Sequence, residues 1–258
     1  MSLEVALEAA AAGAEVLRQR FGQTLDIRHK GAVDLVTDAD QKAEAAIVAV
    51  IRRHFPEHDI LAEEQDWGRP GSACRWIIDP LDGTTNFAHG FPWFAVSVAL
   101  EVSGVVEAGV VHAPLQHTVF SAWRGGGAWR DGVRLRVSTT EELDLSLLAT
   151  GFPYDRKTSS ANNYDYFIEF QQRAQACRRP GAASLDLAYT AAGAFDGYWE
   201  MKLKPWDVAA GALLVTEAGG RVSDFSGQSL DIYGQECLAS NGRIHDQMGQ
   251  VLQAGRRP

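Results

Sequence analysis

The stretch RWIIDPLDGTTN, from Arg75 to Asn86, carries the strongest fold signal in this chain. A short apolar run ends at Asp79, and Pro80 favours an extended backbone at the residue before it. The run therefore predicts a buried β-strand that ends in an acid. Gly83 then permits a tight turn, and Thr84 can begin a helix whose free N–H groups attract an anion. The stretch predicts a strand, a turn and a helix, with acidic side chains beside an anion site.

Two carboxylates lie at this predicted strand end, and a second acidic pair could supply further ligands. Asp79 and Asp82 lie within the stretch, and Glu63-Glu64 follows another apolar pair, Ile60-Leu61. A cluster of carboxylates is unfavourable unless protons or cations neutralise it, and hard oxygen ligands suit Mg²⁺ far better than zinc. The residues alone leave an alternative open, in which one aspartate caps the helix and the other acids are solvated loop residues.

A second acidic position lies in the segment KPWDVAAGALLVTEAGG, residues 204–220. Pro205 suits the first position of a helix, which places Asp207 in the first turn, and Gly219-Gly220 supplies the stop. An acid in that turn can belong to a metal site, or it can simply complement the helix dipole. Asp207 taken by itself favours the helix-dipole interpretation.

The charge of the whole chain restricts its partners. The 258 residues contain 24 Lys and Arg against 33 Asp and Glu, which is a formal net charge of −9. This charge repels nucleic acid and anionic membranes, so we expect no membrane partner and no direct nucleic-acid partner. An anionic substrate then requires a local positive charge, and a bound metal ion is the most compact source of one.

The sequence also bears on location. Its first residues read as an amphipathic helix with several acids, without the basic start and continuous apolar stretch of a signal peptide. The apolar runs are far shorter than the roughly 18 to 20 residues of a membrane-spanning helix. The three cysteines are widely scattered and form no CxxC pair. We therefore expect a cytoplasmic protein with free thiols.

Apolar periodicity predicts a chain that mixes helices and strands. Helical spacing covers residues 3–21, 43–54, 160–174, 183–193, 206–217 and 243–254. Short strands are predicted at 75–79, 94–102, 104–112, 117–123, 133–137, 147–149, 197–202, 221–223 and 236–239, with a hairpin over 25–36. This mixture favours an α/β or α+β class, and no linker divides the chain into independently folding units.

Four motifs together resemble the inositol monophosphatase family. They are DLVTDAD at 34–40, AEEQ at 62–65, WIIDPLDGTTNF at 76–87 and PWDVAAGALLVTEAGG at 205–220, in the family's order and approximate spacing. The resemblance covers nearly the whole chain. It implies a layered αβαβα sandwich of the inositol monophosphatase and fructose-1,6-bisphosphatase type. We expect a single unit over residues 1–258, with approximate halves 1–140 and 141–258.

The resemblance further implies a Mg²⁺-dependent phosphomonoesterase, commonly inhibited by Li⁺, that forms a homodimer and takes a small phosphorylated substrate. Two or three Mg²⁺ ions would bind in each active site. One would be held by Glu63, Asp79 and the backbone carbonyl of Leu81, and a second by Asp79, Asp82 and Asp207. Such a pair can activate a water on one side of the phosphate and stabilise the departing alkoxide on the other.

Residues for water and substrate follow from the same resemblance. Glu63 and Thr84 would orient the attacking water, and Asp40 would accept a hydrogen bond from the Thr84 hydroxyl. The residues implied to contact the substrate are Asp82, Gly83, Thr84, Gly181, Ala183, Glu200 and Asp207. Ala182 departs from the family, in which Ser or Thr usually follows the glycine, and this departure leaves the exact substrate open.

Other charged residues each have two interpretations. Lys30 aligns with a lysine near the mouth of the family's active site, or it is a solvated hairpin residue. Asp34 and Asp38 precede a helix, which favours capping over metal binding. Arg178-Arg179 could contact a second phosphate or a partner subunit, although paired surface arginines are usually solvated.

Three functional hypotheses follow. The leading one is a phosphoric monoester hydrolase that acts on inositol 1-phosphate and related small phosphomonoesters. Enzymes of the same mechanism could instead hydrolyse fructose 1,6-bisphosphate, a 3′-phosphoadenosine nucleotide or histidinol phosphate. A different class is a partner-binding regulator of transcription or ribosome maturation, a role that some bacterial relatives have. The residues implied to bind metal argue against a purely non-catalytic role.

Overall fold

Two long helices form the first layer of the structure. The computed structural model of the chain describes residues 2–23, 27–29, 35–65, 67 and 71–255. Helix α1 (Ser2–Arg20) packs along helix α2 (Asp38–His54) through facing stripes of apolar side chains. The helices approach closely at Gly13, because a Cβ there would lie 2.7 Å from Ile47 Cδ1.

Helix α2 begins at a capping box. Thr37 Oγ1 accepts from the Ala39 N–H at 3.1 Å, while Asp40 Oδ2 accepts from the Thr37 N–H at 2.8 Å. These bonds satisfy N–H groups that the helix itself cannot satisfy. For this reason the helix begins at Asp38, earlier than the start near Ala43 that apolar periodicity predicted.

The second layer is a sheet of seven strands. In chain order they are β3 (Asp59–Ala62), β4 (Cys74–Asp82), β5 (Ala95–Val102), β6 (Val105–Ala113), β7 (Thr118–Trp123), β8 (Gly127–Arg130) and β9 (Val133–Arg134). They also lie side by side in that order; β3 and β4 are parallel, and every later pair is antiparallel. A short helix, α3 (Thr84–Ala88), follows β4 at the edge where the candidate site lies.

A second sheet has five strands. They are β10 (Leu147–Thr150), β11 (Ala176–Arg178), β12 (Gly197–Met201), β13 (Arg221–Ser223) and β14 (Glu236–Ser240). The spatial order is β11-β10-β12-β14-β13, and β10 is parallel to both of its neighbours. The β12–β14 and β13–β14 pairs are antiparallel, so the sheet is mixed.

Four further helices complete the layers: α4 (Tyr164–Arg173), α5 (Ala183–Ala191), α6 (Pro205–Glu217) and α7 (His245–Ala254). Helices α5 and α6 pack on each other between the two sheets, and α6 is buried continuously from Val208 to Val215. A helix that is apolar on all sides requires such a position. Helices α4 and α7 cover the outer face of the five-stranded sheet. The predicted αβαβα layering is confirmed.

Apart from the earlier start of α2, the main differences from the predicted elements lie in short strands. The strand predicted at 133–137 is only Val133–Arg134, while β8 just before it and the short strands β3 and β11 were not predicted. In the predicted hairpin, strands β1 (Ile27–His29) and β2 (Leu35–Thr37) pair antiparallel. Lys30 and Asp34 lie outside the described residues.

None of the helices in the described ranges combines the length and apolar character needed to cross a bilayer.

Candidate active site

The end of strand β4 positions the first two acids of the site. The register against β5 shifts between Asp79, which pairs with Ser97, and Asp82, which pairs with Ala95. This irregularity lies at Pro80, which has no N–H to donate to the ladder. Both acids are nearly buried, with exposed fractions of 2% and 8%. Asp79 Oδ1 accepts from the Leu81 N–H at 3.0 Å, so the turn itself orients this carboxylate.

The third acid comes from the start of helix α6. Pro205 is the first residue of the helix, and Asp207 lies in its first turn as the sequence predicted. Asp207 Oδ2 accepts from the Lys204 N–H at 2.7 Å, a capping bond that holds the carboxylate at the helix end. Because α6 runs between the sheets, this end is brought against the end of β4.

The acids influence one another electrostatically. Burial raises the pKa of Asp79 well above its usual value, and the charges of Glu63, Asp82 and Asp207 raise it further. Burial likewise raises the pKa of Asp207 strongly, with Asp82 the next cause. Four carboxylates from distant parts of the chain therefore lie within electrostatic reach, and their repulsion requires protons or a cation.

The donor chemistry of these acids fits Mg²⁺. Among the described residues no three His, Cys, Asp or Glu side chains form a preformed metal-binding group. Asp79, Asp82 and Asp207 each accept a hydrogen bond from a backbone N–H. The set nevertheless consists of carboxylate oxygens, the hard donors that Mg²⁺ prefers, and a divalent cation would relieve their repulsion.

Thr84 lies beside the carboxylates, at the first position of α3. Its hydroxyl is 3.2 Å from Asp40 Oδ1 and 3.0 Å from the carbonyl oxygen of Leu81, so it can donate its single proton to either. Burial raises the pKa of Asp40 to about 6, against the lowering effect of its bonds from Thr37. The structure thus brings Asp40, from one motif, to Leu81 and Thr84, from another, as the resemblance implied for the Thr84–Asp40 bond.

Gly83 connects β4 to α3 and must be glycine for two reasons. Its φ of +95° is in the left-handed region that other residues rarely adopt. A Cβ at this position would also lie 2.9 Å from the carbonyl oxygen of Trp93. The close approach keeps the turn compact and presents the backbone of residues 83 and 84 to the cavity described next.

A cavity of about 570 Å³ opens beside the carboxylates. Every residue that the sequence analysis assigned to substrate contact lines it, namely Asp82, Gly83, Thr84, Gly181, Ala183, Glu200 and Asp207. Burial raises the pKa of the Glu200 carboxyl to about 7, and Tyr198 Oη donates to Glu200 Oε2 at 2.7 Å. The cavity is of the size that small ligands occupy in proteins.

Asp82 joins the two sides of this cavity. Its carboxylate accepts from the N–H groups of Ala183 at 3.2 Å and Ser184 at 2.7 Å, and from the Ser184 hydroxyl at 2.5 Å. These N–H groups are the free donors at the start of α5, so Asp82 caps that helix from another segment. Ala182, which precedes the helix, has no side-chain oxygen to do so.

Cationic side chains also form part of the cavity wall. Arg156, Arg179 and Lys202 line it, and Lys202 Nζ is 2.6 Å from Asp155 Oδ2. Arg178 instead donates to the carbonyl of Cys177 and is exposed. The paired arginines of the sequence analysis therefore differ, since Arg179 lines the cavity and its neighbour bonds elsewhere.

Glu44 is a site residue that the sequence analysis missed. It is fully buried on α2 and accepts from the Glu64 N–H and from the Trp67 indole N–H, both at 2.9 Å. It thereby ties the loop that carries Glu63 to the same helix that presents Asp40, one turn earlier. The available signal was an acid on the apolar stripe of an amphipathic helix, where an unpaired charge is costly.

Comparison with known proteins agrees with this geometry. The model of the inositol monophosphatase family matches residues 2–256. An inositol-1-monophosphatase from Synechocystis sp. is 46% identical over 255 residues, which cover 98% of this chain and 88% of that protein. A Nus factor SuhB from Pseudomonas aeruginosa is 46% identical over 258 residues, covering 97% of this chain and 95% of that protein.

Solved structures agree as well. An inositol monophosphatase from Anabaena (Nostoc) sp. has a TM-score of 0.90 and 43% identity, covering 98% of this chain and 95% of that one. Membership of the family supports a phosphatase. The shared fold and the sequence match over nearly the whole length lead to one conclusion: the chain belongs to the inositol monophosphatase family.

Proposed function

We propose that this protein is a Mg²⁺-dependent phosphomonoesterase that hydrolyses inositol 1-phosphate and related small phosphate monoesters. One observation supports the proposal most strongly. Four mutually repelling carboxylates and the Thr84–Asp40 pair adjoin a cavity lined by all the residues expected to contact substrate. Family membership and the name of the Synechocystis relative support the same activity.

Glu63, Asp79, Asp82, Asp207 and the carbonyl of Leu81 would hold the metal ions. Bound Mg²⁺ supplies positive charge to the phosphoryl oxygens and lowers the pKa of a nearby water. Phosphoryl transfer depends mainly on positioning and charge stabilisation, so no strongly nucleophilic side chain is required.

The chain's own residues would orient the reactants. Thr84 lies with its hydroxyl between Asp40 and the Leu81 carbonyl. In the proposal this hydroxyl accepts from an attacking water and aligns it together with Glu63. The backbone N–H groups of residues 83 and 84 would bind a phosphoryl oxygen, since the Gly83 turn brings them to the cavity. Asp82 accepts from the Ser184 N–H and so holds the start of α5 at this end of β4.

Glu200 is proposed to accept a hydrogen bond from a hydroxyl of the substrate. It lines the cavity and comes from β12, in the sheet opposite the metal residues. A polyol phosphate could then extend from the carboxylates to Glu200. Asp207, which lines the same cavity, could contact both the metal and the polyol.

A second substrate class is favoured by the cations of the cavity. Arg156, Arg179 and Lys202 could bind a second phosphate, as in fructose 1,6-bisphosphate or a 3′-phosphoadenosine nucleotide. A regulatory role is favoured by a different observation, the similarity to Nus factor SuhB.

We further propose that the protein is a cytoplasmic homodimer. Light scattering of the purified protein would compare its mass with the 28.1 kDa of one chain.

The test is phosphate release from four substrates: inositol 1-phosphate, fructose 1,6-bisphosphate, 3′-phosphoadenosine 5′-phosphate and histidinol phosphate. Each is measured with and without Mg²⁺ and with added Li⁺. We expect the highest kcat/KM on inositol 1-phosphate, absolute dependence on Mg²⁺ and inhibition by Li⁺. Hydrolysis of none of the four by folded protein in Mg²⁺ would refute the proposal and favour the regulatory role.

A partner-capture experiment separates catalysis from regulation. The Asp82→Asn variant should lose phosphatase activity, because it removes charge from the proposed metal site. Partners bound by the wild-type protein should still be captured by the variant if binding is a separate role. Loss of both together would indicate that binding depends on the metal-loaded site.

A further inference from the structure

Gly151 follows strand β10 directly and lies beside Glu200 of the neighbouring strand β12. The two strands are parallel, and Thr150 pairs with Trp199 in their register. A Cβ built on Gly151 would overlap both oxygens and the carboxyl carbon of Glu200, well inside the 3.0 Å that real Cβ atoms keep. The φ of Gly151 is not in the left-handed region, so space rather than backbone conformation requires glycine here.

The backbone of Gly151 is held firmly in place. Asn163, which is 2% exposed, donates through Nδ2 to the Gly151 carbonyl at 2.5 Å and accepts from the Trp199 indole at 2.8 Å. Thr150 Oγ1 donates to the Trp199 carbonyl at 2.5 Å. These bonds tie the end of β10 to β12, so a side chain added at position 151 would displace the Glu200 carboxylate rather than the backbone.

Tyr198 holds the same carboxylate from a second direction. It is fully buried and lies two residues before Glu200, on the same face of β12. Its hydroxyl donates to Glu200 Oε2 at 2.7 Å. The carboxylate therefore has a fixed donor on one oxygen and fills the space that a Cβ on residue 151 would need, while Glu200 lines the cavity.

We propose that Gly151 and Tyr198 are positioning residues that determine specificity: they hold the Glu200 carboxylate where it selects polyhydroxylated phosphate monoesters over esters without such hydroxyls. This inference rests on the proposed function, in which Glu200 accepts a substrate hydroxyl. A misplaced acceptor weakens the bond to the polyol but leaves the carboxylates around the phosphate untouched. Displacing the Glu200 carboxylate should therefore weaken binding of the polyol substrate and leave the rate of the chemical step nearly unchanged.

The experiment compares inositol 1-phosphate with p-nitrophenyl phosphate, which has no ring hydroxyls. The variants are Gly151→Ala, Tyr198→Phe and Glu200→Gln. We expect the first two to raise KM for inositol 1-phosphate about ten- to hundredfold, the range for a lost bond to a charged group, with kcat changed little. In Gly151→Ala and Tyr198→Phe, both constants for p-nitrophenyl phosphate should stay within about twofold of wild type.

Controls keep the result interpretable. Gly249→Ala is the matched glycine substitution, because a Cβ on Gly249 in α7 would meet nothing within 4 Å. Tyr198→Phe keeps the packing of the ring, so this variant still tests the positioning of Glu200 if Gly151→Ala fails to fold. The double variant Gly151→Ala/Glu200→Gln should lose no more than Glu200→Gln alone, since both changes act through one carboxylate.

Each outcome refers to a different claim. If wild-type protein hydrolyses neither ester, the proposed function fails. If Glu200→Gln affects both esters equally, the recognition role of Glu200 fails. If Glu200→Gln affects inositol 1-phosphate selectively while Gly151→Ala and Tyr198→Phe do not, or if the double variant shows additive losses, the positioning inference itself is overturned.

Discussion

Substitution of Glu44 by glutamine tests how the site is supported from helix α2. The carboxylate is fully buried and accepts two hydrogen bonds of 2.9 Å, from the Glu64 N–H and the Trp67 indole. Glutamine has nearly the same shape but only one acceptor oxygen, so at least one of these N–H groups would face an amide NH₂. The loop that begins at Glu63 would lose part of its attachment.

The expected magnitude follows from the number of bonds lost. A hydrogen bond to a charged group contributes about 1.5–3 kcal/mol, which corresponds to about 10- to 150-fold in an equilibrium constant. Because the loop carries Glu63, the loss should appear in the affinity for Mg²⁺. Groups that orient metal ligands typically change affinity by about 10- to 100-fold when mutated, which is the same range.

Two measurements check this expectation. The Mg²⁺ concentration that gives half-maximal phosphate release should rise about 10- to 100-fold in Glu44→Gln, while kcat at saturating Mg²⁺ stays within a few-fold. Isothermal titration with Mg²⁺ in the absence of substrate should show the same loss. Glu142→Gln, at an exposed position, is the control. An unchanged Mg²⁺ affinity together with a lowered kcat would refute the assignment of Glu44 to the metal-binding loop.

Three further predictions address the catalytic residues and the stability. Asp207→Asn should lower the rate at least about a hundredfold and abolish the rise in Tm on adding Mg²⁺; a near-normal rate would contradict the metal assignment. Thr84→Ala should be severe and Thr84→Ser mild, because serine keeps the hydroxyl that bonds Asp40 and Leu81; equal losses would show that the methyl group matters instead. Burial lowers the pKa of His245 from 6.5 to about 4. Below about pH 6.5 this histidine takes up a proton in the unfolded chain but stays neutral in the folded chain. Its contribution should therefore lower the free energy of unfolding of the wild-type protein by about 2 kcal/mol between about pH 8 and pH 5. Urea unfolding of His245→Gln should lack that part of the loss, and identical pH dependence of both proteins would contradict the buried neutral imidazole.

Local sequence was sufficient for most elements of the fold. The strand, turn and helix around Asp79 to Ala88 were predictable because Pro80 and Gly83 restrict the backbone at neighbouring residues. Helix α6 was predictable for the same reason, with Pro205 at its start. The predicted start of α2 was late because its capping box lies outside the apolar stripe.

The long-range bonds of the candidate site were not predictable in this way. Thr84 and Asp40 are 44 residues apart, and Ser184 is 102 residues from Asp82, whose carboxylate caps helix α5. The resemblance to a family implied the bond between Thr84 and Asp40, but it did not imply that Asp82 caps helix α5. Glu44 was missed although it lies on the apolar stripe of α2. Gly151 was missed because its neighbours along the chain do not show that Glu200 lies against it.

By itself the sequence determined the elements and the motifs, since strand ends, turns and helix starts depend on residues within a few positions of each other. Only the tertiary structure decided which of them meet. Packing of α5 and α6 between two sheets brings the end of β4, the start of α6 and strand β12 around one cavity. The physical reason is that burial and electrostatic repulsion depend on distance in space, so neither the raised pKa of Asp79 nor the space over Gly151 has any counterpart in local sequence.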